Sequence, residues 1–411
     1  MTANSNSLLS AKICFHKYLI VILFTIVACR ALPRDEFIIG DSIPWIELQD
    51  KIYNTTNVYI FQSCITKKMD IEKSQFNDTS RLSLSRTEYE GKSRYGFRKI
   101  KFKNNSSFEL VGINLNQLYI DMDFAVFSMN SVMSLFDFKA YNNFVLSANY
   151  SKFNNSFLTI CRMKLFDRVV LSCSKSLFEK KSNITVMDLK TIYSMIYFDS
   201  SKIYDSTRLS VSNTSFNDTS FFSCIGAVFS NYAFAHLTNI VCSGSIIRFS
   251  KASFVNNSSL SLNNIVFSGN SKLQLSGLHI SDNSELRVDS VLISGDTVTF
   301  KDAKLFGKTT FIRSSFPEYV DFRYVQIGDR NVDLSWVRSS ENKKIKIALW
   351  GSAIEKINLN TNFRLWFPGT LTTEEKKDVY SRVLSKYKQE KNDFMFKYFQ
   401  NEYATFLKQC V

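Results

Sequence analysis

Apolar residues in this chain recur at i, i+2, i+5 and i+7. About five polar residues rich in Ser, Asn, Asp and Gly follow, and the unit then repeats. Leu260, Leu262, Ile265 and Phe267 form one unit. Thirteen residues on come Leu273, Leu275, Leu278 and Ile280, then Leu286, Val288, Val291 and Ile293. Backwards the register passes Ile247/Phe249/Ala252/Phe254 and Phe222/Cys224/Ala227/Phe229, and with slips of one or two residues it reaches Val58/Ile60. Forwards it passes Val298/Phe300/Ala303/Leu305 and Val320/Phe322/Val325/Ile327 and fades near Ile345/Ile347, giving about 24 units. An i, i+2 spacing places alternate side chains on one face of a strand. Each unit therefore reads as two very short strands joined by a corner and closed by a turn. The i, i+3, i+4 spacing of a helix is missing. A short fixed period predicts stacked coils.

One unit per coil would leave almost no room for Leu and Phe side chains to meet inside. Two units give a coil of about 25 residues and a core of ordinary width. The last apolar position of alternate units supports two: Phe76, Phe102, Phe127, Phe153, Phe178, Ile203, Phe229, Phe254, Ile280 and Leu305, with steps of 25 or 26. These units also carry a small residue two positions earlier, such as Ser74, Ala125, Ser151, Ser176, Ser201, Ala227 and Ala252. The intervening units carry Phe138, Met163, Leu189, Ile240 and Ile265 there. Large beside small in each layer is how a core reaches native density. The expected fold is all-β: a parallel β-helix (solenoid) of about 12 coils over 58–352, roughly 55–60 Å long, with a phenylalanine ladder down one corner.

The two ends depart from the repeat. Lys12, His16 and Lys17 precede an apolar run from Leu19 to Ala28 that is too short to span a bilayer and reads as a signal-peptide core, residues 1–29. Ile26-Val27-Ala28-Cys29 has the form of a lipobox, which makes Cys29 a lipidation candidate; a plain signal peptide or a retained anchor are the other readings. Export to the cell envelope, or secretion, is expected. Residues 30–57 are the expected N-terminal cap. Residues 353–411 are the expected C-terminal cap and helices, where Thr372-x-x-Glu375 is a capping box and Val379, Val383 and Tyr387 give an apolar face. A second aromatic stretch follows Asn392-Asp393. The tail reads as a cap on the last coils or as a partner-binding arm.

With 45% hydrophobic residues in 411 the chain can build a long core, and 4 Pro and 13 Gly exclude a collagenous or disordered chain. The net charge of +14 is spread along the chain, with one local pattern. Lys139, Lys164 and Lys190 occupy the same outward slot 25 or 26 residues apart, while Lys152 and Lys202 occupy another. They read as solvated lysines that protect a sheet face, or as a face for an anionic partner such as an acidic glycan or a membrane surface. Nucleic acid is not expected as a partner of an exported chain. Further along, Val241, Val266 and Leu292 take the same slot and form an apolar contact stripe. Cys173, Cys224 and Cys242 fall on inward positions and read as small core residues.

The tail Phe363-Arg364-Leu365-Trp366-Phe367-Pro368, followed by a Glu/Lys-rich helix with Val379-Tyr380 and then Asn401-Glu402-Tyr403, resembles that of exported or membrane-associated pentapeptide-repeat-like proteins of Bacteroidota. The resemblance implies a right-handed parallel β-solenoid and an envelope location more than an activity. The strict pentapeptide is not kept, since the period here is 12–13.

Parallel β-helices also include polysaccharide lyases and glycoside hydrolases, which need clustered outward acids. The outward acids here, Asp70, Asp121, Asp321 and Asp333, do not stack in pairs at the coil spacing, and His236 and His279 lie 43 residues apart. No catalytic residue, metal site or cofactor is expected. The sequence reads as a non-enzymatic structural, adhesive or interaction surface, with a polysaccharide-active enzyme as the alternative.

Overall fold

The computed structural model describes four short strands between residues 36 and 61, residues 68–85 and 88–89, and residues 93–410 apart from 113, 282, 296, 342, 368 and 370. Cys29 and the whole expected signal segment lie outside the described residues. The described chain is a parallel β-solenoid closed at its C-terminal end by two helices. Each coil passes through three sheets of 21, 14 and 12 strands. The first, the broad sheet, takes two strands from many of the coils and one long strand from others, and bends over a corner midway. One coil shows the course. Val132–Phe136 and Lys139–Tyr141 lie in the broad sheet, Val145–Ser147 in the second and Lys152–Asn154 in the third. The next coil pairs with it in parallel, with Val132 opposite Phe157 and Lys152 opposite Leu177. The 12 strands of the third sheet are separated by eleven steps, so the rod makes about 11 turns of about 25 residues. That agrees with two sequence units per coil.

Two boundaries differ from the reading above. Glu36–Ile39 pairs in register with Asn57–Ile60, and Ile52–Asn54 with Gln75–Asn77, so part of the segment expected as an N-terminal cap already runs as a coil. At the other end Ile357–Asn358 and Phe363–Leu365 continue the broad and second sheets beyond 352. The Phe-Arg-Leu of the tail motif is thus the last strand of the second sheet. Its spacing was hidden because the final units shorten and lose the four-position pattern.

The corners are sharp because single residues adopt left-handed backbone. In the broad sheet this residue is Asp137, Arg162, Asp188, Asn213, Asn239 and Asn264 in successive coils, with φ between 49° and 56°. Asn and Asp tolerate this region better than other L-residues. From Arg208–Asn217 to Ser259–Ser268 the two short strands merge into one of ten residues across the corner. There the asparagines also form a ladder: Asn239 donates to Asn213 at 3.1 Å and Asn264 to Asn239 at 2.8 Å.

The core is one continuous apolar column. Phe76, Phe102, Phe127, Phe153 and Phe178 are fully buried and stacked, with centroid separations of 5.1, 4.9, 4.9 and 4.6 Å. They lie on the inner surface of the third sheet rather than at a corner. Ile203 interrupts the stack, which resumes at Phe229 and Phe254, 4.4 Å apart. The small residues beside them are buried too, and the serines among them have a second task. The Ser176 hydroxyl donates to the Ala148 carbonyl at 2.9 Å and accepts the Ser151 N–H at 3.1 Å, so it ties one coil to the previous one. A parallel ladder runs at the next corner through Ser106, Ser131, Ser156 and Ser182, each donating to a phenylalanine carbonyl of the Phe ladder. In the sequence those serines look like ordinary turn residues. Ser176→Ala is expected to lower stability by about 1 kcal/mol, the low end for leaving a buried donor and acceptor unpaired, because alanine fits the same place at Ala125, Ala227 and Ala252. Chemical denaturation of the two proteins checks it.

Helices α1 (Thr373–Gln389) and α2 (Asp393–Gln409) pack on the last coils. The capping box is present: the Thr372 hydroxyl accepts the Glu375 N–H, and the Glu375 carboxylate accepts the Thr372 N–H. Buried Lys386 donates to the Glu355 carbonyl at 3.1 Å, Asn358 at 2.9 Å and Glu390 at 2.6 Å. The Tyr387 hydroxyl accepts the Leu359 N–H at 3.0 Å and donates to the Leu359 carbonyl at 3.3 Å. Main-chain groups of Glu355 and Leu359 near the end of the rod are thus bonded by helix side chains. The tail is a cap.

In α2, burial pushes the Glu402 carboxyl up to about 7, against smaller opposing effects of the Leu365 N–H, the Tyr398 hydroxyl, Lys344 and Arg364. The folded protein therefore holds this proton where the unfolded chain has released it. Stability contributed at this contact is full below the ordinary glutamate range, about 4.3, and falls as pH rises to about 7. Glu402→Gln is expected to flatten that fall, read as the melting temperature of both proteins between pH 5 and 8.

Candidate interaction faces

In a coil of this kind every second strand residue faces outward, and parallel pairing stacks outward residues of successive coils into columns. One column of the broad sheet runs Asn114, Lys139, Lys164, Lys190, Ser215, Val241, Val266, Leu292 and Ser315. The three lysines and the three apolar residues singled out in the sequence are therefore consecutive stretches of the same column. Lys139, Lys164 and Lys190 are exposed, and none makes an ion pair among the described residues. Beside them on the outer surface stand Tyr141, Phe166 and Ile192; the first two rings stack at 5.5 Å. Val241 and Leu292 are exposed and Val266 is half-buried. Lys152 and Lys202 face outward from the third sheet with Leu177 between them, and Lys152 pairs with Glu179 at 2.8 Å.

Several acids are engaged by neighbouring groups, within a coil or across to the next. Asp121 is held by Arg94 at 2.9 Å, and Asp321 by Arg323 at 2.8 Å. Asp289 is held by Arg287 at 2.9 Å and Arg313 at 2.8 Å, and these guanidinium groups keep its carboxyl below the usual range. Asp123 and Asp199 each accept a serine hydroxyl and a backbone N–H from the next coil. Asp333 caps a turn by accepting the Ser335 N–H. Among the described residues no three His, Cys, Asp or Glu side chains are grouped to hold a metal ion. His236 and His279 both face outward, on different sheets. Cys173, Cys224 and Cys242 are buried, and burial raises all three thiols, Cys173 and Cys242 to about 12. They are unreactive core residues. No helix among the described residues is long and apolar enough to cross a membrane.

Fold and faces together define the class: a parallel β-solenoid with two C-terminal helices. No protein-family model matches the chain, and no curated protein matches it.

The second sheet has a face that the sequence reading did not find. One of its two outward columns runs Arg94, Tyr119, Val145, Val170, Met195, Phe221, Ile246 and Lys272; the other, two residues on, runs Asp121, Ser147, Ser172, Tyr197, Ser223 and Arg248. In the sequence the six apolar positions of the first column sit immediately before an inward apolar residue, as in Val145-Leu146 and Phe221-Phe222. They blur the alternation instead of standing out. Only the register separates outer from inner.

Proposed function

We propose that this chain is a non-enzymatic, exported β-solenoid of the pentapeptide-repeat-like kind that works as an interaction surface. Its Lys139–Lys164–Lys190 column takes an anionic partner such as an acidic glycan, and Cys29 is a candidate for anchoring it to a membrane by lipid. The observation that carries this reading is the column itself: three exposed lysines at successive levels, without ion pairs among the described residues and beside the Tyr141/Phe166 stack. A linear polyanion can meet one ammonium group per coil. The engagement of Asp121, Asp289 and Asp321 by arginines supports a binding role over catalysis, because acid–base work on a sugar needs carboxylates free to exchange protons.

Replacing Lys139, Lys164 and Lys190 together by Gln is expected to weaken binding to an acidic polysaccharide on the order of tenfold to a hundredfold. That corresponds to about 0.5–1 kcal/mol per exposed charge contact. Binding by the parent should also weaken as salt shortens the Debye length. Equal affinity of parent and triple variant in titration calorimetry, with no salt dependence, contradicts the assignment. Replacing Cys29 by Ser tests anchoring: unchanged lipid labelling and membrane retention would end that part of the proposal.

A further inference from the structure

The outer face of the second sheet presents six apolar side chains in consecutive coils, from Tyr119 to Ile246, a stripe of about 24 Å at the strand spacing. Exposed aromatic rings extend it over both flanking corners: Phe124 and Tyr150 on one side, Tyr193 on the other. Phe124 and Tyr150 stack at 5.1 Å, and both hold left-handed backbone, φ 60° and 55°. That conformation is disfavoured for a side-chain-bearing residue, and glycine takes the equivalent place at Gly226 and Gly277. Two aromatic rings are therefore held out toward solvent against the preference of their own backbone.

Cations frame this surface. Arg94 lies over Tyr119 at 5.4 Å, Arg98 over Phe124 at 5.8 Å, Lys175 over Tyr150 at 5.2 Å and Arg248 over Phe221 at 4.7 Å. The nearby acids are engaged: Asp121 lies on this same face, paired with Arg94 at 2.9 Å and Arg98 at 3.8 Å, and Asp123 and Asp199 accept hydrogen bonds from adjacent coils. The result is an aliphatic and aromatic column beside a polar one, fringed by Lys175 and Arg248, which make no ion pair among the described residues.

A second copy of the chain fits this face poorly. Antiparallel face-to-face packing brings Arg94 against Lys272, and parallel packing brings Arg248 against Arg248. An acidic polysaccharide would find no hydrogen-bonding group on Val145, Val170, Met195 or Ile246, and in the neighbouring outward column Ser147 and Ser223 are buried, which leaves Ser172, Tyr197 and Arg248. An anionic bilayer satisfies both parts, since aromatic and aliphatic side chains enter the headgroup–acyl boundary while Arg and Lys meet phosphates.

We propose that the outer face of the second sheet is a contact surface for an anionic lipid bilayer, with Tyr119 to Ile246 at the acyl boundary and Lys175 and Arg248 on headgroup phosphates. This rests on the reading that the rod works through its outer faces, but not on the lysine column. The test uses the full chain with a tryptophan placed in the stripe, Met195→Trp, or on the outer surface of the broad sheet, Thr185→Trp. Emission is taken as the difference from the parent, on vesicles with brominated acyl chains. On vesicles containing phosphatidylglycerol, the Met195→Trp signal is expected to fall roughly twofold and the Thr185→Trp signal to stay unchanged. On phosphatidylcholine alone both should stay unchanged. Adding the Lys139, Lys164 and Lys190 to Gln replacements should leave the Met195→Trp quenching intact. Equal quenching at both positions overturns the proposal. So does protection of Met195→Trp by its own concentration or by acidic polysaccharide without lipid quenching. Loss of the quenching in the lysine variant overturns it while leaving the lysine-column reading in place. Quenching kept, with polysaccharide affinity unaffected by the lysine changes, does the reverse.

Discussion

Phe153→Ala is expected to lower the stability of the rod by about 3–5 kcal/mol, the range for removing a buried phenyl ring without refilling its space. The ring is fully buried and held face to face by Phe127 at 4.9 Å and Phe178 at 4.6 Å. Its loss opens a cavity between two coils and takes away both stacking contacts. Those coils are fixed by main-chain pairing at Lys152–Asn154, so they cannot close over the gap. A solenoid transmits stability only between neighbouring coils, so the damage should also divide the unfolding transition. Lys152→Ala changes the adjacent outward residue and should stay within about 0.5 kcal/mol. Guanidinium denaturation followed by circular dichroism reads both. Similar midpoints for the two variants would mean that the ladder is not the core.

Ending the chain at Leu371 is expected to have the second large effect. It removes α1 and α2, and with them the Tyr387 bonds to Leu359, the Lys386 bonds to Glu355 and Asn358, and the bidentate Arg382–Glu355 pair at 2.9 and 3.1 Å. Ile357, Leu359, Phe363 and Leu365, buried in the full chain, would face solvent together with the unpaired edge of the last coil. An exposed apolar strand edge recruits another strand. The truncated chain should therefore associate end to end, with a mean mass by light scattering that rises with concentration. A monodisperse truncated rod would show that the helices are not a required cap.

The sequence is explicit about what alternates and silent about what is stacked. Leu260, Leu262, Ile265 and Phe267 announce a strand pair, and the 25-residue return of Phe76, Phe102, Phe127 and Phe153 announces the coil, because burial imposes a strict period on large apolar side chains. The lysine column followed from the same arithmetic, since Lys139, Lys164 and Lys190 keep the core's spacing. The second-sheet stripe did not. Outward Val170 and inward Leu171 are equally apolar, and composition cannot say which of two adjacent residues faces water. Ser156 and Ser182 were hidden for the opposite reason. They are polar, so they resemble turn residues, while their hydroxyls sit inside bonded to carbonyls of the preceding coil. The end of the rod at Phe363–Leu365 escaped because terminal coils need not keep the length of those between them.

Two sequence units per turn is the claim on which the faces, the ladders and both interaction proposals depend, and a distance between two spin labels tests it directly. Lys139 and Ser315 stand in the same outward column seven coils apart. Nitroxides carried there on non-natural side chains leave the native cysteines alone. Pulsed dipolar spectroscopy should give one narrow distance near 34 Å, seven steps of about 4.8 Å. A distance near 67 Å, as one unit per turn requires at the same rise, or a broad distribution without a maximum, would contradict the architecture and every surface assigned from it.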